Sequence, residues 1–446
     1  MGGLCALRIK LVASNTRTIQ VMSSALLSYE EAAQTIADHA AALRQMQPAV
    51  ERVPLAQAAG RVLARPIVAD RDQPPFARST RDGFACRASE ASAHRPLAIA
   101  GAAKAGDAPG GRLPPDAAWE IMTGAPVPEG ADAVMMVEHV ETGGGVGPGM
   151  VRLPPPRRLV AGENVVARGA QGRSGDELLG SGVRIQAGQI ALAASCGYAQ
   201  LDVFVRPRVA ILSTGDEIVP VEAEPGPGQI RNSNGAMLAA LVAAAGGEPL
   251  LLPQVADTDA ALDAAIAQAR AADLIVFTGG VSAGKFDLVE PALARAGARF
   301  HFTGVRIQPG KPTVLAEIPP APVSSPVRGQ SAAKHCMGLP GNPVSSAVTF
   351  LLFAAPLLAA LSGSRETVPR FAMAQLAGEV KTKPGLTRFL PAVCSFGAKG
   401  ELPRVSLVSW QGSGDLTALA RSNCYLVVPE TATVLETGTS VRILLS

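Results

Sequence analysis

The run Thr278-Gly279-Gly280-Val281-Ser282-Ala283-Gly284-Lys285-Phe286-Asp287 carries the ingredients of an anion seat. Gly279, Gly280 and Gly284 let the backbone turn tightly and present N–H groups that no side chain covers. Ser282 adds a hydroxyl, Lys285 a cation, and Asp287 a carboxylate suited to a divalent metal beside the anion. By itself, a glycine loop after a strand is equally an ordinary strand-to-helix turn, and its neighbours must decide between the two readings.

Other stretches of similar chemistry recur nearby. Ser213-Thr214-Gly215-Asp216-Glu217, Ala256-Asp257-Thr258-Asp259 and Gly338-Leu339-Pro340-Gly341-Asn342-Pro343 are polar and turn-prone, and the first two follow apolar runs. Lys311, in Gln308-Pro309-Gly310-Lys311-Pro312, lies between two prolines, a rigid setting that favours a positioned cation. In an open parallel sheet ligands sit beyond the carboxyl ends of the strands, which would put Glu217, Asp257 and Asp287 on one rim. Carboxylates beside an anion seat suit a hard metal such as Mg²⁺ bridging phosphates. Asp259 is expected as a helix N-cap, and Asp216 and Glu217 also fit a solvent-facing turn. Spacing alone therefore reaches a Mg²⁺-assisted site for a nucleotide or phosphorylated cofactor.

The elements that must position these residues alternate. Val209 to Leu212, Leu250 to Val255, Leu274 to Phe277, Phe300 to Ile307 and Val314 to Ile318 read as strands. Helices are expected near Met237 to Ala245, Ala260 to Arg270 and Leu288 to Ala296, with a long one entered through Asn342 and Pro343. The pattern predicts an α/β multidomain protein with a central, doubly wound, mostly parallel sheet over 207–363. Around it, 1–27 reads as a tail, 28–70 with 170–206 as a discontinuous helical linker domain, 71–169 as a small β domain and 364–446 as a β barrel. Ser28 and Glu31 have capping-box spacing, Gly197 is a C-cap candidate, and 319–334 is a Pro/Ser-rich insertion.

At 446 residues, 48% hydrophobic and 17% charged, the composition is that of a globular multidomain chain. A net charge of +3 and 4% aromatic content give no reason to propose nucleic acid, and a small anion is the better partner. Six scattered cysteines without Cys-x-x-Cys spacing read as thiols in a reducing compartment, the cytoplasm. The apolar stretch Val344 to Leu361 contains Ser345, Ser346, Thr349 and Pro356 and reads as a buried core helix, not a membrane span.

With these motifs in view, the chain resembles the molybdopterin molybdenumtransferase family, which includes the C-terminal domain of gephyrin. The likeness runs from about Leu27 to Ser446 and rests on separate motifs in family order: Ser79 to Ala85, Met122 to Pro128, Gly162-Glu163-Asn164, Ser213 to Glu217, Thr278 to Asp287, Pro309 to Pro312 and Gly338 to Ser345. The resemblance implies a homodimer whose small β domain faces the partner's central domain, and a reaction that joins molybdate to adenylyl-molybdopterin with release of AMP. It implies Glu217, Asp257 and Asp287 for the Mg²⁺-dependent cleavage, and the glycine loop with Pro309 and Gly310 for the cofactor. Ser282, Lys311, Ser345 and Arg388 would surround molybdate or phosphate, with Ser413 beside them, while Asp82 and Thr123 would enter from the partner subunit. Transient contact with other molybdenum-cofactor biosynthesis proteins would follow. Two positions depart from the family pattern: Gln308 replaces a common lysine and Gln171 a common aspartate, with Arg306 or Lys285 as candidates to restore the charge. A molybdopterin adenylyltransferase resembles the central domain alone, and a gephyrin-like scaffold is the binding-module alternative.

Overall fold

The structure, a computed structural model, describes residues 26–46, 48–281, 288–320, 333–397 and 402–446. The chain divides into two compact units. One holds Arg206–Ser362 and Glu366–Ser446 with the chain ahead of Pro48, and the other holds Pro48–Val205 with Gly363–Arg365.

The first unit opens with α1 (Tyr29–Arg44). The Glu31 N–H donates to Ser28 Oγ at 3.1 Å and the Ser28 N–H to the Glu31 carboxylate at 2.7 Å, the reciprocal cap predicted from the spacing. The buried stripe Tyr29, Ala32, Ile36, Ala40 and Leu43 enters the core of the central sheet. The helix thus belongs with that sheet and not with the 48–70 segment beside which the sequence reading placed it, because its apolar face is buried there.

The central domain follows as β1 (Arg208–Ser213), α2 (Ser233–Ala244), β2 (Glu248–Leu251), α3 (Asp259–Ala269), β3 (Leu274–Thr278), α4 (Val289–Arg295), β4 (Arg299–Phe302), β5 (Val314–Ile318), β6 (Lys334–Leu339) and the long helix α5 (Pro343–Leu361). The six strands form one sheet in the order β2-β1-β3-β6-β5-β4. The first four run parallel, β5 runs antiparallel to β6, and β4 antiparallel to β5 and so in the direction of the first four. Side chains alternate across the sheet and feed two cores. Val209, Ile211, Leu274 and Val276 pack with α1, α2 and α5, whereas Ala210, Leu212, Ile275 and Phe277 pack with α3 and α4. That two-sided burial is why these strands read as continuous apolar runs.

Three local expectations change. The strand expected from Phe300 to Ile307 is split: β4 ends at Phe302, and Ile307–Gln308 pairs instead with Thr387–Arg388 of the C-terminal domain. Helix α2 begins at Ser233, ahead of Met237, because the Asn232 side chain caps it by accepting from the Gly235 N–H at 2.8 Å. Helix α3 is capped by Thr258, not Asp259; Asp259 sits in the first turn and pairs with Arg295 at 3.0 Å.

Helix α5 is long and apolar enough to cross a membrane, yet 78% of its most apolar window is buried inside the protein. Pro356 cannot donate a backbone hydrogen bond, and a π turn over Phe350–Ala354 lies immediately before it. The C-terminal domain contains β7 (Phe371–Leu376), β8 (Thr387–Ser395), β9 (Arg404–Leu407), α6 (Leu416–Arg421), β10 (Cys424–Val428) and β11 (Ser440–Leu445). Its strands run β8-β9-β7-β11-β10, and β10 pairs back onto β8, closing a five-stranded barrel.

The second unit carries its own six-stranded sheet, in the order Ala133–Met136, Gly83–Cys86, Ala117–Ile121, Leu97–Ala103, Gly147–Arg152, Glu141–Gly143. Val50–Pro54 pairs with Gln200–Phe204. Helix Ala187–Ser195 ends at Cys196, and Gly197 follows at φ 79°, the left-handed position that glycine adopts without strain. Among the described residues the five cysteines are free and buried.

Candidate active site

In the first unit a cleft of about 1360 Å³ opens where β1, β3 and β6 end. Its wall brings together Glu217, Asp257, Gly279, Gly280, Pro309, Gly310, Lys311, Ser345 and Ser413. Ser282, Gly284 and Asp287, with Lys285, lie outside the described residues. Arg388 is not on the wall, but its Nε donates to Gln308 Oε1 at 2.8 Å, and Gln308 is.

The glycines are there because three strand ends meet with almost no space between their backbones. Gly279 and Gly280 have φ of 92° and 63°, and a Cβ at either would come within 2.7 or 2.8 Å of Thr214 atoms. Beneath them lies a polar network. Thr278 Oγ1 and Ser346 Oγ are 3.1 Å apart, Ser346 Oγ donates to the Pro340 carbonyl at 2.6 Å, and Asn234 Nδ2 donates to Thr278 Oγ1 at 2.9 Å and to the Gly341 carbonyl at 2.6 Å. These bonds tie β3, the loop after β6 and the start of α2 into one floor. Ser346 is fully buried, so Ser346→Ala is expected to cost about 1–3 kcal/mol, through the lost bond and the weakened pairing of the Pro340 carbonyl. Urea unfolding checks this as a lowered midpoint at unchanged slope.

Lys311 is held by its own backbone. Its carbonyl accepts from the N–H groups of Val305 at 2.9 Å and Thr313 at 3.0 Å, and Thr313 Oγ1 donates to the Gly310 carbonyl at 2.6 Å. A Cβ on Gly310, at φ 119°, would collide with Thr349 Cγ2. Gln308 has a definite task, since its amide oxygen anchors the Arg388 guanidinium, which a lysine ammonium would repel. Arg306 does not stand in for the missing lysine; it pairs with Glu430 at 3.4 Å and is off the cleft wall.

The carboxylates occupy the β1 side of the cleft. The Glu217 side chain folds over Gly215, where an added Cβ would come within 2.5 Å of Glu217 Oε2. The Asp257 N–H donates to Asp216 Oδ1 at 3.1 Å, which locks the two loops together. Asp216 is therefore a loop tie, while Glu217 and Asp257 line the cleft. Across from them, Ser413 Oγ accepts from Asn342 Nδ2 at 2.8 Å and its carbonyl accepts from the Val344 N–H at 3.0 Å, joining the barrel domain to the start of α5. Asp415 fixes the Ser413 loop by accepting from the Ala418 and Gln411 N–H groups, bonds that hold its carboxyl below the ordinary aspartate range.

Sequence reasoning missed Asn234 and Trp410, both on the wall. The Asn-Ser-Asn-Gly run at 232–235 was the available signal for Asn234, as a helix start next to a strand end. Thr214 Oγ1 and Asn234 Oδ1 are buried without a hydrogen-bond partner among the described residues. Orphaned polar atoms lining a cleft are what a polar ligand would satisfy.

In the second unit the other two sequence motifs are laced together. The Ser79 N–H donates to the Ala125 carbonyl at 3.0 Å and the Gly124 N–H to the Ser79 carbonyl at 2.8 Å. Asp82 Oδ1 accepts from the Thr123 N–H at 2.6 Å and the Thr123 hydroxyl at 2.8 Å. These two bonds, the backbone one foremost, hold the exposed Asp82 carboxyl below its ordinary range. The Thr80 N–H donates to the Asn164 carbonyl at 2.9 Å, which brings in the Gly162-Glu163-Asn164 motif.

A doubly wound domain whose strand ends converge on glycine turns, acids and a fixed lysine is characteristic of α/β enzymes that handle phosphorylated cofactors. Three family models match the chain in succession: the MoeA N-terminal region (domain I and II) over residues 27–197, the probable molybdopterin binding domain over 210–360, and the MoeA C-terminal region (domain IV) over 373–446. A molybdopterin molybdenumtransferase of Nostoc sp. is 34% identical over 414 residues, 89% of each chain. That of Bacillus subtilis is 34% identical over 407 residues, 90% of this chain and 91% of its own. A crystal structure of the molybdopterin biosynthesis moeA protein from Pyrococcus horikoshii superimposes with a TM-score of 0.71 at 27% identity, covering 95% of this chain and 100% of its own. The chain belongs to the molybdopterin molybdenumtransferase family, transferases of molybdenum-cofactor biosynthesis.

Proposed function

We propose that this chain joins molybdate to the dithiolene sulfurs of adenylyl-molybdopterin in the cleft of the first unit, releasing AMP. The supporting observation is that Glu217 and Asp257 line the same cleft as Gly279, Gly280, Lys311, Ser345 and Ser413. Molybdate is a tetrahedral dianion, and holding it against the sulfurs while its charge is neutralised can supply most of the catalysis. Lys311 gives a fixed positive charge, Ser345 and Ser413 give hydroxyls, and Arg388 is brought up to the rim by Gln308. The unpartnered Thr214 Oγ1 and Asn234 Oδ1 offer an acceptor or donor to the pterin or nucleotide.

The oxygen-only donor set Glu217, Asp257 and Asp287 suits Mg²⁺, a hard cation, and these residues would hold it. Bound there, it would neutralise charge on the phosphates of the adenylyl linkage. Glu217 and Asp257 are positioned for this by the Gly215 turn and the Asp216 tie.

The test is direct. Adenylyl-molybdopterin with molybdate and Mg²⁺ should give AMP and metal-loaded cofactor, whereas molybdopterin with MgATP should give no adenylylation. Turnover only with MgATP would instead make the chain an adenylyltransferase.

The laced Asp82–Thr123 loops support the further reading that a homodimer brings these residues to the partner's cleft, in the cytoplasm. Light scattering should then report twice the 45.6 kDa chain mass. Asp82→Ala should slow AMP release at least tenfold without altering the dimer. A monomer that turns over at full rate would exclude a shared cleft.

A further inference from the structure

Three of the five histidines in the chain converge outside the cleft. His39 lies on α1, His301 on β4 and His335 on β6, and all three surround Glu317 on β5. His335 and Glu317 are direct cross-strand partners. His301 sits at the register shift between Phe300 and Phe302, a bulge that turns an extra side chain toward the same carboxylate. Helix α1 closes the group from above the sheet with His39.

The distances are those of a ligand set. His301 Nε2 is 3.1 Å from Glu317 Oε2, and His335 Nε2 is 3.0 Å from Glu317 Oε1. His39 Nδ1 is 3.6 Å from Oε1 and 3.2 Å from His335 Nε2. Ligand atoms of His39, His301 and Glu317 all lie within 4.8 Å of one another. We propose that His39, His301 and Glu317 bind one divalent ion of the zinc class, with His335 beside them as the imidazole that orients the Glu317 carboxylate, so that the ion pins α1 to the sheet.

Donor chemistry selects the ion. Imidazole nitrogens with a single carboxylate suit Zn²⁺, Co²⁺ or Ni²⁺, whereas Mg²⁺ asks for oxygens. All four side chains are mostly shielded from solvent, from 7% exposed for His335 to 24% for Glu317. Their geometry is thus set by packing before any ion arrives.

The full chain, stripped with a chelator and titrated with Zn²⁺, should bind one equivalent and gain several degrees in Tm. Co²⁺ should give the visible d–d absorption of low-coordinate nitrogen and oxygen ligation, and a thousandfold excess of Mg²⁺ should leave it unchanged. His39→Gln with His301→Gln should weaken Zn²⁺ binding at least 100-fold while AMP release persists, since neither residue lines the cleft. No stoichiometric binding by the unaltered chain, or equal affinity in the double variant, would overturn the proposal. If the double variant fails to fold, the stoichiometry and Co²⁺ spectrum of the unaltered chain decide alone.

Discussion

Lys311→Met is expected to lower kcat/KM for molybdate by about two to three orders of magnitude, the usual loss when one preorganised charge or donor is removed from a reacting oxyanion. The size follows from how the residue is held. Its carbonyl is bonded twice, Gly310 has no room for a side chain, and prolines flank the turn, so the ammonium reaches the cleft from a backbone that does not need to reorganise. Among the described residues no ion pair or side-chain hydrogen bond engages that ammonium. Lys311→Arg should recover part of the rate, because charge returns but a planar fork replaces a compact point charge. The loss should fall on the molybdate dependence and leave the apparent affinity for adenylyl-molybdopterin within a few-fold, which steady-state AMP release at varied molybdate measures. A fall of less than tenfold would remove Lys311 from the oxyanion site.

The parts of this fold that were legible in the sequence are those where one physical signal acts alone. Leu274 to Phe277 is buried on both faces and nothing in its sequence disguises that. Strand β6 was not legible, although it lies at the centre of the sheet, because it begins with Lys334 and His335 and contains Gly338. Those polar residues are tolerated through partners remote in sequence: Glu317 takes His335, and Asp273 acts on the buried Lys334, whose pKa burial lowers. The His39–His301–Glu317 group was hidden for the same reason, since only the pairing of β4, β5 and β6 and the packing of α1 bring it together. In the cleft, Glu217, Asp257 and Lys311 were legible because each follows or flanks a turn signal. The role of Gln308 was not, because it depends on Arg388, 80 residues away, reaching back through the pairing of Ile307–Gln308 with Thr387–Arg388.

Gly279→Ala should cut kcat/KM at least 100-fold, while the chain still folds. At φ 92° an alanine pays about 1–2 kcal/mol in backbone strain alone. Its Cβ would also stand 2.7 Å from the Thr214 carbonyl oxygen, a backbone atom that cannot rotate aside. Thr214 is fixed in turn, because its N–H donates to the Thr278 carbonyl at 3.2 Å and it forms a parallel bridge with Val255. Gly279 itself donates to the Leu339 carbonyl at 3.2 Å. The added methyl therefore separates the end of β1 from that of β3, and with it Glu217 from the glycine loop. Displacing reacting groups by about 1 Å is enough for a hundredfold loss. Gly438→Ala supplies the control. It has a comparable φ of 84° but open space around the added methyl and no place on the cleft wall, so it should lower stability by a similar strain and leave AMP release intact. Equal activity in the two variants, measured alongside urea unfolding, would mean that the close meeting of the three strand ends is not what holds the site in working order.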